Sequence, residues 1–383
     1  MNYLYAAAGS IILVFIFLIL KKENKNKADY LLIAVNILVG FFLIADVLVN
    51  WRLTSSTVIF QNSVPLFLFP VFVFYVLQFI NANKKIAKSW YLIFAPGLIF
   101  LVFSFFDHFI LNNYPSQTEV DQYFNTPSIW NQLIFKSSQL LYISILIWLL
   151  GQLRNFEMKL KEGYSTIETI DVKWLRHFTW VYLGSIIFTF ILFLSQNLGI
   201  LPFEIKQVFA IIYGVLIISV FYLNYQGIQH YTLIQVHPAA ISNENDQDEL
   251  INENHKRDEL TEKELEIEKL ILEKIESEQL YLEPKFSLNE MADKLGKSKH
   301  LISKIINSKK DRSFYDLING YRVSHLKKMM DDPKNSHFTI LALGLDSGFN
   351  SKASLNRIFK NTTGLTPKEY LDLKSQSIEA ELK

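Results

Sequence analysis

The sequence predicts an all-α protein made of two unlike parts, a polytopic bundle of seven membrane-spanning helices and a cytoplasmic helical domain after it. Three observations lead to this prediction. Half of the 383 residues are hydrophobic, and 31 of them are Phe. Long apolar runs are confined to the first 225 residues. Further along, residues 287–307 and 338–361 each contain two short helical patterns separated by a glycine turn.

Seven apolar runs are long enough to cross a bilayer, whose ~30 Å hydrocarbon core requires about 20 apolar residues in a helix. They lie near residues 3–20, 29–50, 64–81, 90–110, 132–152, 177–198 and 207–225. Pro65 and Pro70 interrupt the third run, and Pro96 and Gly97 lie in the fourth, but neighbouring helices of a bundle tolerate such residues. The first run has no basic segment before it and no clear cleavage site, so we expect it to remain as a helix.

The basic residues of the short loops predict the orientation of these spans, because cytoplasmic loops carry an excess of Lys and Arg. Twelve basic residues follow the first, third and fifth spans: Lys21, Lys22, Lys25, Lys27, Lys84, Lys85, Lys88, Arg154, Lys159, Lys161, Lys173 and Arg176. The opposite side has three: Arg52, Lys136 and Lys206. We therefore expect a multi-pass protein of the bacterial cytoplasmic membrane, with the N-terminus outside and the C-terminal domain in the cytoplasm.

The formal net charge of +1 is the sum of three unlike segments. Residues 1–241 contain 15 basic and 11 acidic residues. Residues 242–284 contain 5 against 15, a net charge of −10, whereas residues 285–383 contain 18 against 11, a net charge of +7. A polyanion would bind the last segment. The sequence has no Cys, which excludes disulfides and thiolate metal sites.

The first candidate helix-turn-helix unit is residues 287–307. Ser287 and Glu290 predict a capping box, Ala292 allows the second helix to approach closely, and Gly296 suits the positive φ at the end of a helix. The second helix, which we call the recognition helix, has an apolar face of Leu301, Ile302, Ile305 and Ile306. Its outer face consists of Lys299, His300, Ser303, Lys304 and Asn307.

Residues 338–361 repeat this plan, with Thr339 and Ser351 as helix caps, Gly344 as the small packing residue and Gly348 in the turn. We expect Leu355, Ile358 and Phe359 to face inward, and Lys352, Asn356, Arg357 and Lys360 to face outward. Residues 314–330 have helical periodicity and would form a rigid spacer between the two units. Two recognition helices suit two successive major grooves of double-stranded DNA, about 34 Å apart.

The nine outward residues are therefore candidate DNA contacts. Arg357 is the best candidate for a base contact, because a guanidinium can bind guanine with two hydrogen bonds. Lys299, Lys304 and Lys360 suit phosphate contacts, and Asn356 suits adenine. His300 has an equally good interpretation as a polar residue of the turn.

The arrangement resembles the DNA-binding domain of the AraC family of bacterial transcription regulators over residues 267–374. The resemblance is carried by ADKLGKS at 292–298, Tyr321-Arg322, Gly348-Phe349, RIFK at 357–360 and TGLTPKEY at 363–370. It departs from the family at Gly344, where Ala is usual, and at Leu355, where Phe is usual. The resemblance implies two helix-turn-helix units and a non-enzymatic role in transcription. No metalloprotease, P-loop, kinase or serine-hydrolase motif is present in the sequence, so we predict no catalytic residue, metal or cofactor.

The predicted domains are residues 1–226 (membrane bundle), 227–258 (juxtamembrane and acidic linker), 259–280 (linker helix) and 281–383 (DNA-binding domain). Two interpretations of the linker helix remain open. Its heptad-like Leu265, Leu272 and Ile275 favour a short dimerising coiled coil, whereas burial of Ile271 and Ile275 would make it the first helix of the DNA-binding domain. We predict a homodimer. A further hypothesis is that the Glu-rich linker competes with DNA for the basic domain, which would be autoinhibitory.

Charged residues at the outer end of the bundle predict a ligand site, because intramembrane ionisable residues are costly and usually face inward. The candidates are Asp46, Asp107, His108 and Lys136. The alternative is that these side chains lie in the headgroup region, which Asp46, the deepest, fits least well.

The leading hypothesis is a one-component regulator that couples a small-molecule or membrane signal in the bundle to sequence-specific DNA binding. The alternatives are a transporter or channel with an attached DNA-binding reporter domain, and a membrane scaffold.

Overall fold

A computed structural model describes residues 2–23, 25–50, 56–81, 85–109, 129–167, 172–197, 214–215, 217–228, 261–308 and 313–381. Within these ranges the elements are α-helices and short 3-10 turns, and β-pairing is confined to an isolated bridge between Tyr164 and Ser287. The predicted all-α class is confirmed. The chain divides into two compact units, Met1–Arg154 with Val172–Val236 and Asn155–Asp171 with His237–Lys383.

The first unit is built from long apolar helices. They are α1 (Asn2–Lys21), α2 (Lys27–Asn50), α3 (Ser56–Ile80), α4 (Ala95–Phe109), α5 (Ile129–Gly163) and α6 (Lys173–Asn197), with a further helical segment at 217–228. The central helix is α3, since 78% of its apolar window is buried, compared with 22% for the window around α4. Helix α5 is longer than a membrane span requires, and its residues 155–163 belong to the second unit.

Five of the described helices are long and apolar enough to cross a membrane. Their windows are Lys27–Ala45, Ser63–Ile80, Lys88–Phe106, Gln132–Gly163 and Lys173–Leu192. They coincide with the second to sixth predicted spans. The first predicted span is helical as α1, of which Ala8–Lys21 counts as a shorter apolar helix. The seventh lies partly outside the described residues, so the number of seven stays a prediction.

Proline in the middle of α3 is accommodated by a hydrogen bond from a neighbouring helix. Pro70 has no N–H to donate to the carbonyl of Leu66, four residues earlier. The Tyr142 hydroxyl on α5 donates to that carbonyl oxygen at 3.0 Å. The Tyr142 ring also stacks on Phe69, with 3.9 Å between the ring centroids. The prolines expected to interrupt the third span thus lie inside one continuous helix.

A buried pair of amides joins α2 to the helical segment 217–228. Asn36 Nδ2 donates to Asn224 Oδ1 at 2.7 Å, and Asn224 Nδ2 donates to Asn36 Oδ1 at 3.1 Å. Both side chains are fully buried. Because an unpaired buried amide is costly, this reciprocal pair fixes the facing positions of the two helices.

The second unit contains seven shorter helices among its described residues. They are α7 (Glu262–Ser277), α8 (Leu288–Leu295), α9 (Lys299–Asn307), α10 (Phe314–Asp331), α11 (Ile340–Asp346), α12 (Lys352–Thr363) and α13 (Pro367–Glu381). The long helix α10 carries the core, with Phe314, Leu317, Ile318 and Leu326 buried. The two short helix pairs, α8–α9 and α11–α12, lie before and after it in the chain.

Candidate nucleic-acid interface

The first helix pair has the geometry of a helix-turn-helix unit. Ser287 caps α8 and forms the expected capping box with Glu290, whose Oε2 accepts a hydrogen bond from Ser287 N at 2.7 Å. Gly296 ends α8 with a φ of +60°. Ile302 and Ile305 of the recognition helix α9 are buried in the domain core. The predicted boundaries 287–307 therefore match the structure at both ends.

The second pair repeats this geometry, as predicted. Thr339 caps α11, Ser351 caps α12, and Gly348 has a φ of +88° in the turn between them. The inward face of α12 is buried as predicted, with Leu355, Ile358 and Phe359 at 5% exposure or less. The spacer predicted at 314–330 is the single helix α10.

The two departures from the AraC pattern compensate each other sterically. A Cβ atom added to Gly344 would lie 2.6 Å from Leu355 Cδ2, so the leucine occupies the space that an alanine would need. Gly344 and Leu355 are both buried at the contact between α11 and α12. The smaller residue on one helix thus matches the shape of the residue facing it.

The nine predicted DNA contacts all lie outside the buried core of their helices. Six are exposed: His300, Lys304, Asn307, Lys352, Asn356 and Lys360. Three are half-buried: Lys299, Ser303 and Arg357. The exposed set leaves both recognition helices with a polar and basic outer face. Contact with DNA itself stays a prediction for every one of these residues.

Lys304 on α9 forms an ion pair that the sequence did not indicate. Its Nζ atom donates to Glu264 Oε1 at 2.8 Å, from the first turn of α7. Glu264 also accepts from Thr261 in the capping box. The hydrogen bond from Lys304, followed by those from Thr261, lowers the pKa of Glu264 to about 2. The Glu264 carboxylate of the linker helix α7 is therefore paired with the lysine that was predicted to contact a DNA phosphate.

Lys299, at the start of α9, is half-buried, whereas an exposed side chain was predicted. Burial lowers the pKa of its ammonium group, and the negative charge of Glu162 at the end of α5 acts against that shift. Glu162 belongs to the same compact unit as the DNA-binding helices. Each of the two predicted phosphate-binding lysines of the first recognition helix thus has its own acidic neighbour, Glu162 for Lys299 and Glu264 for Lys304.

Arg357 is held by the domain itself. Its Nη2 atom donates to the Tyr315 hydroxyl at 2.9 Å, which joins α12 to the first turn of α10. The predicted base contact would therefore require this arginine to share its guanidinium between Tyr315 and DNA. Asn356 is exposed beside it and is the better-placed candidate for a base contact.

Helix α7 packs as the first helix of this domain. Ile271 and Ile275 are at most 1% exposed and belong to the same hydrophobic core as Phe286, Ile302 and Phe314. Of the two interpretations of the linker helix, the structure favours this one, because Ile275 is no longer available to a coiled-coil seam. Leu265 and Leu270 remain exposed on α7.

The loop after α5 is bound to the DNA-binding helices through a buried arginine. Arg322 of α10 is 1% exposed, and its Nε donates to the Tyr281 carbonyl at 2.8 Å. Its Nη1 donates to the Ser165 carbonyl and the Thr166 hydroxyl, both at 3.2 Å. Asn319, one turn earlier, donates to the same Ser165 carbonyl at 2.9 Å. One guanidinium thus joins α10 to two separate segments.

The loop is also paired with the chain that leads into α8. Ser165 N and Oγ both donate to the Phe286 carbonyl, at 3.2 and 2.5 Å, and Thr166 Oγ1 donates to the Pro284 carbonyl at 2.6 Å. Sequence reasoning missed this contact. The available signal was Arg322 itself, which lies at the helical spacing of the buried Ile318 and Leu326, where an apolar residue is expected.

Of the predicted ligand residues, Lys136 is half-buried on α5. Asp46 lies on α2, and Asp107 and His108 lie on α4, but their side chains are outside the described part of the structure. The predicted site at this end of the bundle stays a prediction.

The fold and the exposed basic helices together define a DNA-binding domain, and comparison with known proteins agrees. Residues 291–372 match the family model described as a helix-turn-helix domain, which is an AraC-type domain. The chain is also similar to an uncharacterized HTH-type transcriptional regulator of Staphylococcus aureus (strain COL), with 34% identity over 84 residues. That stretch is 22% of this chain and 11% of the relative. No solved structure matches the chain. The domain indicates a non-enzymatic role in transcription regulation.

Removing the charge of Glu264 is expected to strengthen DNA binding. In a Glu264→Gln variant the capping box is retained, since glutamine serves at this position, but Lys304 becomes available to phosphate. We expect tighter binding to all sequences and a slope of log K against log salt that is steeper by about one unit. The measurement is a salt titration of DNA affinity with the full chain in nanodiscs.

The matched control is Glu273→Gln, which removes the same charge from the same helix. It should leave the slope unchanged. An equal effect of both substitutions would mean that overall charge, rather than the Lys304 ion pair, controls DNA affinity.

Proposed function

We propose that this protein is a membrane-embedded, one-component transcription regulator, in which the helical bundle of the first unit receives a signal and the second unit binds specific DNA sequences. The observation that carries the proposal is the combination in one chain of an AraC-type helix-turn-helix domain with five helices long and apolar enough to span a membrane. The site of action is the cytoplasmic membrane, with the DNA-binding domain in the cytoplasm.

The exposed surface of the first unit supports membrane embedding. Its helices carry large apolar side chains on their outer faces, among them Leu13 and Val102, each 67% exposed, and Leu92, 74% exposed. Soluble proteins rarely expose contiguous apolar surface on this scale. In a bilayer the same surface contacts acyl chains instead of water, so its exposure is not destabilising. The excess of basic residues in alternate loops supports the proposed orientation.

Coupling between signal and DNA would pass along α5. This helix leads without a break from the apolar bundle to Gly163, and the loop after it is hydrogen-bonded to Arg322 and Asn319 of α10. A displacement of α5 would therefore move or strain the contact with the DNA-binding helices. A tenfold change in DNA occupancy requires only about 1.4 kcal/mol of differential binding between two states.

DNA recognition would use the outer faces of α9 and α12 in successive major grooves. On α12, Asn356 would bind a base edge and Lys352 and Lys360 would bind phosphates, whereas Arg357 is hydrogen-bonded to Tyr315. On α9, Lys304 would exchange its partner Glu264 for a phosphate. A homodimer would present four recognition helices to an operator.

The test is genome-wide DNA occupancy of the intact, membrane-inserted protein beside an Asn356→Ala, Lys360→Ala double variant. We expect discrete peaks that the double variant loses, since loss of a base contact costs about 1–3 kcal/mol of discrimination and loss of a phosphate contact weakens binding to all sequences.

The control variant is Lys263→Ala, which removes an exposed positive charge from α7 and should keep the peaks. Peaks that survive in the double variant would place recognition elsewhere. Purified full-length chain that selects no sequence from random DNA would overturn the proposal.

A further inference from the structure

A partly open cavity of about 140 Å³ lies in the first unit, between α2, α3, α5, α6 and the helical segment 217–228. Its wall is largely apolar and aromatic, and includes Val39, Phe72, Tyr142, Phe178, Tyr182 and Leu223. None of the described side chains that line it is charged. Walls of this kind accept a neutral, mainly apolar molecule and exclude an ion, which would lose its hydration without compensation.

One polar group in this wall has an unused hydrogen-bonding site. Gln139 of α5 is 6% exposed, and its Nε2 donates to Thr189 Oγ1 at 3.1 Å. The Thr189 hydroxyl donates its own proton to the Ile186 carbonyl at 2.8 Å, so toward Gln139 it acts as an acceptor. This fixes which end of the amide faces Thr189. Gln139 Oε1 is then a buried acceptor with no donor among the described residues.

An unpaired buried acceptor destabilises the protein, and a ligand that donates a hydrogen bond to it removes that destabilisation. The cavity volume suits a small ligand, because an apolar cavity of about 150 Å³ holds one benzene ring. The wall favours an aromatic ring, since Phe72 already makes an edge contact with Tyr182, at 5.4 Å between centroids.

We propose that this cavity binds a neutral, single-ring aromatic molecule with one hydrogen-bond donor, a ligand of the phenol class, whose hydroxyl donates to Gln139 Oε1. The acyl chain of a lipid has no donor for this atom and is the poorer occupant. Binding follows from the cavity alone, whereas the role of the ligand as the signal rests on the function proposed above. Because Gln139 is on α5, the ligand would act on the helix that leads to the Arg322 contact.

The test measures stabilisation of the full chain against heating, in phosphatidylcholine nanodiscs, as phenol or toluene is added. Toluene has nearly the shape of phenol but donates no hydrogen bond. We expect phenol to stabilise the wild-type protein saturably and to bind about tenfold more tightly than toluene. In Gln139→Leu this preference should be lost while toluene still binds, which also shows that the variant is folded.

A second variant separates the cavity from the lipid. Val39→Phe fills part of the cavity, and it should abolish the saturable effect of both compounds. Equal binding of phenol and toluene to the wild-type protein would overturn the donor requirement. Identical responses in wild type and Val39→Phe would show partition into lipid alone and overturn the site. This experiment contains no DNA, so a negative result would not contradict the proposed function. Conversely, an absence of DNA occupancy peaks would not contradict this binding site.

Discussion

Replacement of Gly348 by alanine should destabilise the DNA-binding domain by about 3 kcal/mol or more. Gly348 has a φ of +88°, in the left-handed region, where a side chain costs about 1–2 kcal/mol. A Cβ atom at this position would also overlap the Tyr281 carbonyl oxygen and lie 3.0 Å from that of Leu282. These are backbone atoms, so relief requires the whole segment to move, and overpacking of this kind costs about 1–3 kcal/mol more.

Two other glycines of the domain provide matched controls. Gly296 and Gly364 also have positive φ, at +60° and +82°, but a Cβ atom on either would meet nothing within 4 Å. Alanine there should cost only the backbone strain, about 1–2 kcal/mol. The measurement is hydrogen exchange of α10 in the full chain, which reports the free energy of opening of the domain. Equal losses of stability in the three glycine variants would show that the close approach of the Tyr281 carbonyl to Gly348 does not contribute to the cost of the Gly348 substitution.

Local sequence patterns predicted the DNA-binding units well because each pattern is determined by neighbouring residues. A capping box needs only Ser287 and Glu290, three residues apart, and the structure contains that box. The turn glycines Gly296 and Gly348 follow from the same local rule. The inward faces of α9 and α12 follow from helical periodicity, which local sequence also determines.

The contacts made by the outer faces were not predictable in this way. Lys304 was expected to be free for phosphate, but Glu264, 40 residues earlier, is its partner. Arg357 contacts Tyr315, 42 residues away. Such pairs depend on how α7 and α10 pack, and no spacing rule within one helix contains that information. Six of the nine candidate DNA contacts are exposed and three are half-buried, and their contact with DNA stays a prediction. The partners of Lys304 and Arg357 were not predicted.

The grouping of residues 155–171 with the DNA-binding helices was not predictable for a related reason. Hydropathy assigns residues 155–171 to a loop of the bundle, because it scores each segment by its own composition. The structure groups Asn155–Asp171 with the DNA-binding helices, since Ser165 and Thr166 satisfy buried donors of Arg322 and Asn319. An arginine at a helical position where an apolar residue is expected is the sequence feature that could have indicated such a partner.

The substitution Arg322→Leu should lower the free energy of unfolding of this domain by about 3–5 kcal/mol, because hydrogen bonds from a charged group contribute about 1.5–3 kcal/mol each and several are lost together. The guanidinium donates to three carbonyls in the segment before α8, those of Tyr281, Glu283 and Pro284. Leucine supplies none of these donors, and the Tyr281 carbonyl would lose the hydrogen bond from Nε. The other two carbonyls would each keep one hydrogen bond: Glu283 O accepts from Phe286 N, and Pro284 O accepts from Thr166 Oγ1.

The matched control is Arg357→Leu, the same change at a half-buried arginine of the same domain, where the loss of the hydrogen bond to Tyr315 should cost about 1 kcal/mol. Hydrogen exchange of the full chain distinguishes the two. Arg322→Leu should increase exchange in residues 281–286 and 164–167 together, because one side chain holds both segments. Faster exchange in 281–286 alone would mean that the loop after α5 is held by its own hydrogen bonds to Phe286 and Pro284. In that case α5 would be coupled to the start of α8 directly, and Arg322 would serve only the stability of the domain.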